Sequence, residues 1–101
     1  MRFLGRLHGQ ATLACGVEVF GQADYDFDGF IGPTGQVMAN GEIRMSPAIL
    51  RSVFGRRDLQ LLMDGGRIVS LRFSERKLTP DGDAAHVDID GDLPSAADWS
   101  H

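Results

Sequence analysis

The sequence has a single cysteine, Cys15, so the chain cannot form an internal disulfide. Chains without disulfides are typical of reducing compartments, and we expect a cytoplasmic location. Long apolar runs are missing as well. The N-terminal residues MRFLGRLHGQ lack the apolar stretch of a signal peptide, and no segment is apolar for long enough to span a bilayer. We therefore expect no membrane partner.

Basic residues are in the minority. Ten Lys and Arg residues stand against fourteen Asp and Glu residues, which gives a net charge of −4. Proteins that bind nucleic acid through its backbone usually carry a basic surplus, so nucleic acid is disfavoured as a partner. Residues 42–78 nevertheless hold eight basic and four acidic side chains, whereas residues 79–101 hold six acidic and no basic ones. Two explanations of this charge distribution are open. Strands of opposite charge could neutralise each other, with Arg72 and Arg76 between two acidic strands, or the surface could suit a charged partner.

Alternation of apolar and polar residues is the dominant pattern of the chain. One parity of the first segment contains Leu7, Ala11, Leu13, Cys15, Val17 and Val19, and the next segment continues with Ala23, Tyr25 and Phe27. Such a period of two predicts strands with one buried face. A tight turn is expected at Cys15-Gly16, because glycine adopts the positive φ that hairpin turns require.

Later turn signals divide the rest of the chain into strands. GPTG at 32–35 predicts a turn, and a third strand is expected at about 36–45, with a bulge or turn at Asn40-Gly41. Asp64-Gly65-Gly66 predicts a hairpin between the apolar segments 58–63 and 67–76. A last strand is expected at 85–93, with Val87 and Ile89 inside.

One helix is predicted, near 46–55. Ser46 suits the N-cap, Pro47 suits the first helical position, and Gly55 suits the C-terminal end. The predicted fold is all-β with one short helix: a small antiparallel barrel or sandwich of about six strands, with the helix capping one end. We expect one domain over 1–93 and a flexible tail over 94–101, unless Trp99 packs into a groove.

Two sets of residues have the composition of a metal site. Asp24, Asp26 and Asp28 precede Gly29 in the way that a calcium loop begins, but the bidentate glutamate of such a loop is missing, since Gly35 stands at its position. His86 and Asp88 lie two residues apart on one predicted strand face, and His8 could join them if the first and last strands are neighbours. Both sets also match the alternation of polar residues that any strand with one solvent-exposed face shows.

Signals for catalysis are few. Cys15 lies at an apolar position, no serine has the glycines of a nucleophile elbow, and no glycine-rich nucleotide motif is present. Phe20 and Phe30 fall on the outward parity, where a barrel that binds single-stranded nucleic acid would carry stacking residues, unless a bulge at the neighbouring glycines turns them inward.

The sequence thus favours a non-catalytic module that binds a protein partner or a second copy of itself. We expect Arg51, Arg56 and Arg57 to form its positive contact surface. No cofactor is predicted, a divalent cation being the one alternative. The alternative functions are a divalent-metal-binding β domain with ligands among Asp24, Asp26, Asp28, His86 and Asp88, and a small nucleic-acid-binding barrel.

Overall fold

The computed structural model describes residues 2–79, 81–91, 93, 94 and 99. The strands are β1 (Arg2–Cys15), β2 (Glu18–Ile31), β3 (Val37–Arg44), β4 (Leu59–Leu62), β5 (Ile68–Phe73) and β6 (Ala84–Gly91). The helix α1 (Pro47–Val53) connects β3 to β4, and a 3-10 turn (Asp64–Gly66) connects β4 to β5.

The strands form a closed antiparallel barrel in the order β1-β2-β3-β6-β5-β4, which β4 completes by pairing with β1. The prediction of a small all-β barrel with one short helix is therefore confirmed. The barrel is strongly staggered. β2 pairs with β1 from Arg2 to Cys15, whereas β4 reaches only Thr12–Ala14 of β1. The described residues contain no helix long and apolar enough to cross a bilayer.

Apolar side chains fill the barrel interior. The largest fully buried ones are Phe27, Leu13, Ile43, Leu50, Leu59, Leu61, Val53, Val69 and Val87. No polar or charged residue of the described chain is buried, so the interior needs no internal ion pairs. Burial of this apolar surface is the main stabilising contribution to the fold.

Trp99 closes the end of the barrel opposite α1. Its side chain is 3 % exposed, and its ring lies against Gly29 of β2, where a Cβ atom would stand 2.7 Å from three ring carbons. The indole Nε1 donates to the carbonyl of Pro94 at 3.2 Å. A flexible tail was expected unless Trp99 packs into a groove, and Trp99 does pack into one. Residues 95–98, 100 and 101 lie outside the described residues.

The helix begins as its cap signals predict. Ser46 Oγ accepts a hydrogen bond from the Ile49 amide at 3.4 Å, and Pro47 occupies the first turn. Leu50 and Val53 are buried in the barrel core, so the helix covers the end at which β3 finishes and β4 starts. Gly55 follows with a φ of +86°, a value that favours glycine.

Replacing Ser46 by alanine tests the contribution of this cap. We expect Ser46→Ala to lower the free energy of unfolding by about 1 kcal/mol, because one helical amide loses its acceptor. Ser52→Ala is the matched control: Ser52 Oγ donates back to the Ile49 carbonyl at 2.7 Å, a bond that adds little stability to a helix. Urea denaturation measures both, and equal effects would contradict the capping role of Ser46.

The predicted alternation fails at the β1–β2 tip. The register shifts between the pairs Leu13–Gly21 and Ala14–Val19, because Phe20 is an extra residue on β2. Val19 is 62 % exposed, and Val17, which lies in the turn, is 102 % exposed. The expectation that both valines lie inside was wrong, because the bulge turns Val19 outward and Val17 lies in the turn. The turn residues are Gly16 and Val17, one position later than expected, with Gly16 at a φ of +59°.

The expectation of a bulge or turn at Asn40-Gly41 was also wrong. Both residues pair in regular register with β2 and β6. Gly41 is required for another reason: a Cβ atom there would stand 2.8 Å from the Cα of Phe27 and would also meet the backbone of Asp26. Glycine in a strand often marks such a close approach of a neighbouring backbone.

Candidate functional site

The outer barrel face carries cross-strand rows of polar side chains. Asp24, Asp26 and Asp28 point outward from the extended β2, while Ala23 and Phe27 are buried. The strand register places His8, Asp26, Glu42 and His86 in one row across β1, β2, β3 and β6. A second row contains Arg6, Asp28, Asn40, Asp88 and Arg72. In both rows the carboxylates lie between basic residues or histidines.

Ion pairs engage two of these carboxylates. Arg6 Nε donates to Asp26 Oδ1 at 2.6 Å, and a second guanidinium nitrogen contacts the other carboxylate oxygen. This hydrogen bond is the main reason why the pKa of Asp26 lies below its ordinary value. The pair therefore stabilises the fold above the ordinary carboxyl pKa, and the contribution disappears as the pH falls through the lowered value. Arg44 similarly lies 3.1 Å from Glu42.

The geometry separates the residues that were considered as metal ligands. No group of three or more His, Cys, Asp or Glu side chains among the described residues could hold a metal ion. His8 could join His86 only if the first and last strands were neighbours, and they are not, because β2 and β3 stand between β1 and β6. Metal binding by Asp24, Asp26, Asp28, His86 or Asp88 stays a prediction.

The acidic strands β2 and β6 are separated by β3, not by the arginines of β5. Asn40 of β3 stands between Asp28 and Asp88, which removes the direct opposition of like charges. Arg72 of β5 is the register partner of Asp88 on its other side. An ion pair across strands is seen in the β1–β2 pair, between Arg6 and Asp26, whereas Arg72 faces Asp88 in register only. Asp26 and Glu42 lie directly opposite each other, and each has an arginine partner.

Arg56 belongs to a compact cluster at the turn of the β1–β2 hairpin. Its guanidinium donates to both carboxylate oxygens of Asp58, at 3.0 and 2.8 Å, and lies 4.0 Å from a carboxylate oxygen of Glu18. The same group lies 5.1 Å from the ring centroid of Phe20, a cation–π contact. Phe20, expected to be an outward stacking residue, is therefore already covered.

The three predicted contact arginines lie in different surroundings. Arg56 faces β1 and β2, whereas the exposed Arg57 lines a groove with Arg72, Asp88 and Asp90 on the β5–β6 side. Arg51 is exposed in the last turn of α1. That the three form one contact surface stays a prediction, and two acidic side chains already balance part of the charge of Arg56.

Cys15 completes the Arg56 cluster. Its thiol donates to Asp58 Oδ2 at 2.9 Å, and this bond raises the pKa of Cys15 because the thiolate would lose it and face the carboxylate. A raised pKa makes a thiol less reactive, since the thiolate is the nucleophile. The cluster is thus a structural one that joins the hairpin tip to the segment after α1.

This arrangement predicts a change in thiol reactivity. In Asp58→Asn the carboxylate charge is lost while Arg56 still lies 3.4 Å from the sulfur, so the pKa of Cys15 should fall. We expect alkylation by iodoacetamide at mildly alkaline pH to become several-fold faster than in the wild type. Asp81→Asn, a change of equal charge outside the cluster, should leave the rate unchanged. A slower reaction in Asp58→Asn would contradict this account.

The outer face also carries a row of apolar side chains that contains two aromatic rings. Phe3, Phe30 and Met38 are register partners across β1, β2 and β3. Phe3 is 53 % exposed, and its ring meets that of Phe30 edge to face with centroids 5.8 Å apart. Single exposed apolar residues are ordinary, but a contiguous row across three strands is typical of a binding surface. We call these three residues the apolar row.

A groove borders the apolar row. β3 and β6 pair only as far as Ala39 and Ile89, and their ends then diverge. The space between them is a groove of about 280 Å³. Its lining combines apolar residues next to the row (Phe30, Val37, Met38) with charged ones (Arg72, Asp88, Asp90). Sequence reasoning named Phe30 as outward-facing but missed Phe3 and Met38, because only the register of three strands unites them.

Comparison with known proteins gives no match: no protein-family model fits the chain, and no curated protein or solved structure is significantly similar to it.

Proposed function

We propose that this chain is a non-catalytic binding module that docks a protein partner on the apolar row. The observation that carries the proposal is the contiguous, outward placement of Phe3, Phe30 and Met38 on a barrel whose inside is filled, with Phe3 exposed and the other two half-buried. Aromatic residues and methionine are the types enriched in interface centres, where water is excluded.

The surroundings of the apolar row suggest the chemistry of the partner. Asp28, Asp88 and Asp90 lie around the row and its groove, and none of them forms an ion pair within the described residues. The partner surface is therefore an apolar patch with basic side chains on its rim, which suits the net charge of −4 of this chain. With a single cysteine, the module is proposed to act in the cytoplasm.

A photo-cross-linking experiment tests this function. A benzoylphenylalanine residue is placed at Phe3, or at the equally exposed control position Val19 at the tip of the hairpin. We expect the probe at Phe3 to capture one protein, identified by mass spectrometry, that the probe at Val19 does not capture. Identical products from both positions, or no product at Phe3, would contradict the proposal.

A further inference from the structure

One edge of β1 has no strand beside it over most of its length in the described part of the chain. β2 covers one side of β1 throughout, but β4 pairs on the other side only with Thr12–Ala14. His8, Gly9 and Gln10 are exposed in succession. Gly9 has the inward parity of the buried Ala11, so its exposure shows that the edge is uncovered at this point.

This edge lacks the features by which strands usually avoid pairing with other chains. Between Gly5 and Ala11 the sequence has no lysine, no proline and no acidic residue, and its one charged residue, Arg6, is paired with Asp26 of the same chain. The nearest bulge lies outside this stretch, between Phe3 and Gly5. Unpaired backbone N–H and C=O groups without such protection are a template for another strand.

We propose that two copies of this chain associate by antiparallel pairing of their β1 edges about a two-fold axis at His8. An antiparallel edge is complementary to itself, and two-fold dimers are the commonest oligomers. Pairing about His8 sets Gly5 of one copy against Ala11 of the other. The ladder then runs from Gly5, next to the bulge, to Ala11, the residue before the β4 pairing, with the exposed His8, Gly9 and Gln10 at its centre and a buried residue at each end.

Charge is compatible with this register. Arg6 of one copy falls opposite Gln10 of the other, so no two arginines meet directly. The charge of Arg6 is already balanced by Asp26 of its own chain. This dimer goes beyond the proposed docking function, because its contact is the β1 edge and the apolar row stays outside the ladder.

Cysteine cross-linking tests the register. In a Cys15→Ser background, His8→Cys places two thiols directly opposite each other, at Cα separations of about 4.5–5.5 Å that suit a disulfide. We expect mild oxidation to link His8→Cys chains at least about tenfold faster than Gln22→Cys chains, since Gln22 lies on β2, away from the edge. Equal rates at His8 and Gln22 would overturn the proposal.

Sedimentation provides an independent measurement without a cross-link. The wild type should approach twice the chain mass of 11.0 kDa as its concentration rises. His8→Lys should shift it to the monomer, because like charges directly opposite destabilise a strand pair, whereas Gln22→Lys adds the same charge and should not. Phe3→Ser should keep the dimer, which separates this contact from the docking surface. A wild type that stays monomeric, or equal effects of the two lysine variants, would overturn the dimer.

Discussion

Gly41→Ala should destabilise the protein by about 3 kcal/mol or more, although it adds a single methyl group. The added Cβ would stand 2.8 Å from the Cα of Phe27 and would meet the backbone of Asp26. Backbone cannot move aside as the end of a flexible side chain can, so β2 and β3 would have to separate. The β2–β3 register, which positions Asp24, Asp26 and Asp28, would then be lost.

Chemical denaturation measures the effect of Gly41→Ala. Asn40→Ala is the matched control, because Asn40 is exposed, lies next to Gly41 and pairs with the same two strands. Substitutions at such surface positions usually change stability by less than about 0.5 kcal/mol. A Gly41→Ala protein as stable as the Asn40→Ala control would show that β2 and β3 do not approach closely here.

Trp99→Ala should lower the free energy of unfolding by about 3–5 kcal/mol, the range for truncating a large buried aromatic residue. The indole is 3 % exposed, packs with the barrel core and lies on Gly29. Its loss would open the end of the barrel opposite α1. A loss below about 1 kcal/mol would contradict the burial of Trp99.

A double-mutant cycle identifies the contact that holds Trp99. Gly29→Ala should destabilise the wild type, because its Cβ would stand 2.7 Å from the indole ring. Gly29→Ala should lower the free energy of unfolding much less in the Trp99→Ala protein, because the ring is gone. The effects of the two substitutions on stability are therefore not additive. Trp99 is the only tryptophan of the sequence, and its fluorescence reports unfolding of the wild type and of Gly29→Ala directly. Additive effects would place the indole away from Gly29.

The sequence predicted the features that depend on short-range signals. Alternation placed Ala23 and Phe27 inside and the three aspartates of β2 outside, as the structure has them. Ser46 and Pro47 predicted the start of α1, and Asp64-Gly65-Gly66 predicted the β4–β5 connection. In each case the residues that carry the signal lie within a few positions of the feature they determine.

Features that depend on pairing between distant segments were not predictable in the same way. An extra residue on β2, Phe20, turned Val19 outward, and Val17 fell in the turn. The glycine beside Phe20 is compatible with a bulge, but only the pairing of β1 with β2 fixes its position. The closure of the barrel through β4 and β1, instead of β6 and β1, depends on contacts far apart in sequence.

The candidate site was missed for the same reason. Phe3, Phe30 and Met38 stand far apart in the sequence, and a shift of one residue in either strand pair would move one of them inside. Arg56 was predicted to be a contact residue from its charge alone. The fold places Asp58, Glu18 and Phe20 around it, so contacts within the chain already engage this side chain.

The affinity of the captured partner for two variants tests the docking surface most directly. Phe3→Ser combined with Met38→Ser removes the two ends of the apolar row, and Val19→Ser removes an equally exposed side chain at the other end of the barrel. By isothermal titration with the purified partner, the double variant should bind at least about tenfold more weakly, a loss of about 1.4 kcal/mol, with Val19→Ser unchanged. Undiminished binding by the double variant would contradict the assignment of the apolar row as the docking surface.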